Sequence, residues 1–356
     1  MLIIDSHLDL AWNALQWNRD ITQSAYTIRT QEAGIVGPGR GAGTVALPEL
    51  RHGRVAVSFA TLLARSTGQT KEHIDYASPT QAYGIARGQL AYYRALADQN
   101  QIRLILTLND LNDHIAAWEK WEAAPQTDRP TPGVIISMES ADPIQDPKEL
   151  ADWHQAGVRV IGPAHYGPGR YAGGTGTESG LTGIGVALVK EMERLGVILD
   201  LTHLSDQAFW QALKIYAGPV LASHNNCRAL VPHQRQFDDQ QLKAIIERDG
   251  VIGAAFDNWM IRPGWIHETG NQPVVTMAHV VDHIDHICQL AGNCLHVGIG
   301  SDLDGGFGRE QSPQDLDTIA DLQKLPALLA QHGYSEVDIA GILNRNWLRL
   351  LRKNII

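Results

Sequence analysis

Residues 182–224 read TGIGVALVKEMERLGVILDLTHLSDQAFWQALKIYAGPVLASH, and this stretch decides the fold. Its first part, 182–195, carries apolar residues at helical spacing. It leads into a nearly continuous apolar run, VILDLTH (197–203), and a second run, PVLASH (219–224), follows. Apolar runs set beside helical patterns belong to a parallel sheet whose two faces are both covered. Both runs also finish on a histidine, His203 and His224.

The same unit recurs in both directions along the chain. Runs at 2–7 (LIIDSH), 54–62 (RVAVSFATL), 133–139 (GVIISME), 158–165 (VRVIGPAH), 250–256 (GVIGAAF) and 296–302 (HVGIGSD) bring the expected strands to eight. Eight parallel strands with intervening helices predict a (β/α)₈ TIM barrel with long βα loops, one domain spanning 1–356. A ninth run, 102–108 (IRLILTL), is placed outside the barrel because no polar motif ends it. Helical spacing returns at 238–248 and 276–290. The Gly-rich, polar stretch 18–52 is expected to form a long loop over the barrel mouth, and 304–314 another.

Bulk properties narrow the function classes. The chain has 356 residues, 44% hydrophobic, which supplies an ample core. Its net charge of −10, without a Lys/Arg block, lacks the basic face that nucleic-acid binding needs. No apolar stretch approaches the roughly 18–20 residues of a membrane helix. The first strand begins at once, leaving no room for a signal peptide, so the expected location is cytoplasmic. Three cysteines (Cys227, Cys288 and Cys294), none in a CxxC pair, argue against a disulfide framework or a thiolate metal site.

Six of the eight strands end in a group that binds a metal or moves a proton. The first carries His7, with Asp9 two residues on; others end at Glu139, His165, His203, His224 and Asp302. In a parallel barrel these ends converge on one face, where active sites lie. Imidazole nitrogen and carboxylate oxygen suit zinc, and no thiolate is required. His7 and Asp9, two apart in extended chain, point to the same side and can reach one ion. His203 and His224 can hold a second ion, and the two oxygens of Glu139 can bridge both. Two such metals would clamp a shared hydroxide and lower its pKa. Asp302 then offers a proton acceptor, or a further direct ligand. His165 can donate a hydrogen bond to an oxyanion.

Any one of these histidines alone reads as a packed or solvated residue; four histidines and three acids at strand ends do not. His279, His283 and His286 share a helical face and are read as surface or helix-packing residues rather than a second metal site. The Gly-rich run 162–176 lacks the GxxxxGK[ST] pattern of a phosphate loop and is read as shaping the cleft. Trp12 and Trp17 either wall the cleft or pack in the core.

Taken together, these motifs resemble the membrane (renal) dipeptidase family, a zinc metallopeptidase branch of the amidohydrolase superfamily. DSHLDLAW (5–12) resembles that family's DGHNDLPW-type opening, which implies that His7 and Asp9 bind one zinc. GVIISMES (133–140) is similar to the strand that ends in the metal-bridging Glu, here Glu139. The longest match, GLTGIGVALVKEMERLGVILDLTHLS (180–205), implies that His203 binds the second zinc, and ASHNNCRAL (222–230) adds His224. LAGNCLHVGIGSDLDGG (290–306) resembles the segment whose Asp, here Asp302, serves as acid/base. The resemblance further implies that His165 contacts the substrate carbonyl and that Arg235, in HQRQFDD, binds a substrate carboxylate. GILNRNWLRLL (341–351) resembles the family's C-terminal helix, so the matches run through most of the chain. Ser140 in place of Gly, Leu8 in place of Asn, PAH before His165 and AAFDNW after the seventh strand depart from the pattern. They bear on the substrate pocket and on no expected ligand.

The expected function is hydrolysis of dipeptides with a free carboxylate by a metal-bridging hydroxide. The resemblance also implies tolerance of a D-residue at the C-terminal position and makes a homodimer reasonable. Lactonase, deaminase or N-acyl amino acid hydrolase chemistry on the same site is the nearest alternative. A non-catalytic metal-binding barrel is the alternative from another class.

Overall fold

The computed structural model describes residues 1–69, 71–125, 128–267 and 272–355. Its strands are β1 (Ile3–Leu8), β2 (Val55–Leu63), β3 (Arg103–Leu104), β4 (Gly133–Glu139), β5 (Val158–Gly162), β6 (Ile198–Asp200), β7 (Val220–Leu221), β8 (Ile252–Ala254) and β9 (Val297–Ile299). Eight of them lie side by side in the order β7-β6-β5-β4-β2-β1-β9-β8. A parallel bridge between Ala222 and Ile252 joins the two ends of that order, so the sheet closes on itself as a TIM-type barrel. The backbone bonds there are Ala222 N–H to Val251 O at 3.0 Å and Gly253 N–H to Ala222 O at 2.8 Å. β3 pairs only with the start of β4. The run 102–108 thus stands outside the ring, as its lack of a polar ending implied.

Helices fill the connections, and their ends follow from side-chain chemistry. Gly183–Leu195 starts at Thr182, whose hydroxyl accepts from Gly185 N–H, and stops at Gly196 in the left-handed region (φ 71°). Asp239–Glu247 begins at Asp238 with a capping box to Gln241. Met277–Ala291 runs from Thr276 to left-handed Gly292. All three match the periodic segments in the sequence.

β1, β2 and β4 match the lengths of their apolar runs, whereas β5 to β9 are shorter than theirs. β5, β6, β7 and β9 each end three residues before His165, His203, His224 and Asp302 respectively. Pro163 supplies no N–H to continue β5. His203 (φ 67°) and Asp302 (φ 57°) adopt left-handed backbone, which breaks the ladder and turns the side chain toward the barrel axis. Two buried aspartates stitch these exits together. Asp200 Oδ1 accepts from Thr202 and Ser223 N–H, both at 3.0 Å, and Asp5 Oδ1 accepts from His7 (3.2 Å) and Ser301 (2.9 Å) N–H.

A distinct buried cluster draws Ile4, Phe59, Ile135, Val160, Ile198 and Leu221 from successive strands and adds Trp347 and Leu351. The helix Asn346–Asn354 presents that tryptophan, whose Nε1–H donates to Ile299 O at 3.1 Å. Asn346 and Asn344 donate to Val297 O and Leu2 O. This helix therefore plugs the end of the barrel opposite the histidine-bearing exits. The stretch 18–52 is more ordered than a loop, with helices Ala25–Gln31 and Leu47–His52. It is clamped by Glu32, which accepts from Arg19, Arg40 and Gly41 N–H.

Candidate metal centre and active site

The strand exits bring the seven expected residues into one buried group. Glu139 lies at its middle, at the last position of β4. Its Oε1 is 3.2 Å from His203 Nε2 and 3.4 Å from His224 Nε2. Its Oε2 is 3.7 Å from His7 Nε2 and 3.8 Å from His165 Nε2. His7 Nε2 also stands 3.7 Å from Asp9 Oδ2 and 3.7 Å from Asp302 Oδ1. One carboxylate thus faces two separate sets of donors through its two oxygens.

Three overlapping groups have the compactness of cation sites: His7–Asp9–Glu139, Glu139–His203–His224 and His7–His224–Asp302. His7 Nε2, Asp9 Oδ1 and Glu139 Oε1 are buried and have no hydrogen-bond partner. Buried polar atoms are ordinarily satisfied, so three such orphans within one cluster fit bound cations. The histidine tautomers agree. Thr175 Oγ donates to His203 O (3.3 Å) and so accepts from His203 Nδ1–H (3.0 Å). Ser223 Oγ donates to Thr202 Oγ (3.4 Å) and accepts from His224 Nδ1–H (2.9 Å). Both rings then present an unprotonated Nε2 to the centre, as a metal ligand must. The third group keeps Asp302 within reach of an ion as well as of a proton.

The crowded carboxylates favour a positive charge between them, while the ring nitrogens of His203 and His224 are held neutral. Burial raises the carboxyl pKa of Glu139, and the neighbouring Asp9 and Asp302 raise it further against the pull of His7. Burial, followed by the Arg235 guanidinium, holds His203 well below the ordinary histidine range; burial, then the charges of His7 and Arg235, does the same for His224.

Arg235 is 2% exposed. Its Nη1–H donates to Asn225 Oδ1 and its Nη2–H to His224 O, both at 2.9 Å, while buried Nε has no partner. The cavity above the cluster measures about 580 Å³, and Arg235 lines it together with Trp12, Trp17, Tyr166 and Met260. Both tryptophans therefore wall the cleft.

A family model described as membrane dipeptidase, peptidase family M19, matches residues 1–355. The chain belongs to that family. It is a hydrolase of the metallo-dipeptidase class. Solved relatives include a dipeptidase AC of family M19, 26% identical with a TM-score of 0.77, covering 100% of this chain and 99% of that one. Another is a metallopeptidase from Rhodobacter sphaeroides, solved with a phosphinate mimic of the dipeptide L-Ala-D-Ala. It is 25% identical with a TM-score of 0.76 over 99% of both chains. Among curated proteins, dipeptidase tcpJ of Claviceps purpurea is 33% identical over 57% of this chain and 46% of its own length. Dipeptidase aclJ of Aspergillus oryzae is 27% identical over 87% of this chain and 69% of its own length. The matched part thus spans about half of the Claviceps protein.

Further residues of this family member belong to the site. Asp304 Oδ1 accepts from Asp9 N–H at 2.8 Å and sets the turn that carries a candidate ligand. Asp257, in the AAFDNW departure, lines the cavity and accepts hydrogen bonds from Gln311 Nε2 and from Trp259. Burial, then Asp302, pushes its carboxyl up to about 8. The segment after β2 bends over the mouth, where Trp12 Nε1–H donates to His73 O at 2.8 Å and Arg65 reaches His165. A basic residue just past an apolar strand was the available signal for Arg65. Elsewhere, His283 accepts from Cys227 N–H and donates to Ile261 O, while His286 pairs with Asp239. That helix face serves packing, as expected. All three cysteines are free. Among the described residues no helix is long and apolar enough to cross a membrane.

Proposed function

We propose that the chain, as one catalytic barrel over 1–356, is a zinc-dependent dipeptidase. The observation that carries this is Glu139, whose two oxygens face His203 and His224 on one side and His7 on the other. One zinc would be held by His7, Asp9 and Glu139, and a second by Glu139, His203 and His224. Bound there, such cations would supply Lewis acidity and make a water nucleophilic near neutral pH.

The protein's own groups then do the rest. Asp302 takes the proton of the attacking water and passes it to the leaving amine nitrogen. His165 donates Nε2–H to the carbonyl oxygen as negative charge develops on it. Arg235 offers its unpartnered Nε–H, with a free Nη hydrogen beside it, to the substrate's terminal carboxylate. A carboxylate fixed this close to the reacting carbonyl selects short substrates with a free C-terminus. The relative that holds an L-Ala-D-Ala mimic supports acceptance of a D-residue at that position. A homodimer and a cytoplasmic location complete the proposal.

The test is a panel of L-L and L-D dipeptides, N-acyl amino acids and lactones, assayed on protein of measured metal content. The expected result is two zinc ions per chain and turnover confined to dipeptides. Preferential hydrolysis of a lactone or an acyl amino acid would transfer the site to the neighbouring chemistry. Zinc-loaded protein inert on the whole panel would end the enzymatic reading.

A further inference from the structure

Arg65 lies two residues past the end of β2 and is 7% exposed. Its backbone is pinned to the returning loop, with Arg65 N–H to Ile74 O and Tyr76 N–H to Arg65 O both at 2.8 Å. Its guanidinium is held by Asp75, Nη2 to Oδ2 at 3.4 Å, and Asp75 is held in turn by Thr67 N–H at 3.0 Å. So anchored, Arg65 Nη1 sits 3.1 Å from His165 Nδ1 and 3.2 Å from Tyr166 O.

A guanidinium has donors only. Nδ1 of His165 must therefore accept, and the ring's proton is left on Nε2, the atom that faces Glu139 Oε2 at 3.8 Å. His203 and His224 have hydroxyl acceptors at Nδ1 and the opposite tautomer. The partner at Nδ1 thus sorts three clustered histidines into two ligands and one donor. We propose that Arg65 is a positioning residue that locks His165 as an Nε2–H donor aimed at the substrate carbonyl oxygen. The proposal rests on the dipeptidase reading.

Three measurements test it, using the dipeptide turned over fastest in the panel. Arg65→Met should lower kcat roughly 10- to 100-fold, as for other groups that orient a functional histidine. KM and zinc content should stay within about twofold of the parent. Arg65→Lys, whose ammonium also only donates, should recover part of the loss. In a His165→Ala background, Arg65→Met should have almost no further effect, because coupled residues are non-additive. A residue that merely stiffens the loop would give independent, multiplying losses. ¹⁵N NMR of the imidazole rings should show Nε2 of His165 protonated and Nδ1 bare in the parent, with a tautomer mixture in Arg65→Met.

Bare Nε2 in the parent, or multiplying losses, would overturn the positioning role while leaving a His165-dependent dipeptidase intact. A His165→Ala enzyme with parental kcat would instead remove the role of His165 itself, and this inference with it.

Discussion

Glu139 faces both sets of donors through its two oxygens, and it should be the least replaceable side chain. We expect Glu139→Gln to lose bound zinc and activity together, measured by elemental analysis and dipeptide turnover, because an amide cannot bridge two cations with two anionic oxygens. Asp302→Asn should keep its metal and lose about 10²–10⁴ in kcat, the usual range for a proton-transfer group. Near-parental turnover would refute the acid/base role. Arg235→Met should raise KM roughly 10- to 100-fold, the equivalent of about 1.5–3 kcal/mol for a charged hydrogen bond. It should spare kcat, and amide-capped substrates should not feel the change. The histidines and carboxylates at the strand ends were legible in the sequence because each follows an apolar run, where an unpaired charge is costly. Arg235, in HQRQFDD, was legible only through the family resemblance. Thr175 and Ser223 were not. Their work is to fix a tautomer on a histidine 28 positions away or immediately beside them, and no local pattern marks that.

Among the elements, the strands show where sequence reading ran past the structure. Apolar character continues through PAH, LTH and ASH, but the hydrogen-bonded ladder stops earlier. The left-handed backbone of His203 is set by the site it serves, not by residue type. The helices were easier, because caps such as Thr182 and Gly196 are local signals. The stretch 18–52 was only half legible. Its glycines suggested a loop, whereas Glu32 gathers Arg19, Arg40 and a backbone N–H into one buried knot. Burial alone would raise the Glu32 carboxyl; the bonds from Arg19 and Gly41 and the Arg19 charge, joined by Arg40, bring it below its ordinary value of 4.5. A depressed carboxylate adds stability above its unfolded pKa and loses it as pH falls through the folded one. Acid unfolding of the parent should therefore steepen below about pH 4.5. Glu32→Ala should cost on the order of 3 kcal/mol in urea unfolding, since it strands Arg19, and it should flatten that acid limb. No change in midpoint would mean the knot carries little of the stability.

For the molecule as a whole, the alternation of apolar runs and helical spacing was enough to give a closed parallel barrel. The size and lining of its mouth were not readable, because they depend on how the loops after β1 and β2 meet. Metal removal should act on the entire fold. A cation that binds only the folded chain adds roughly 2.7 kcal/mol at a hundredfold excess over Kd. A chelator should lower Tm, zinc should restore it, and Glu139→Gln should respond to neither. Equal melting with and without chelator would argue against a preformed cation site.

Asn344 donates to Leu2 O across 342 residues of chain. At the ribosome the opening strand emerges long before its floor exists. Synthesis at about 5–20 residues per second makes that delay on the order of 20–70 s. For that time the two isoleucines that open β1 lack the seal that covers them in the folded barrel, and they stay open to capture by chaperones.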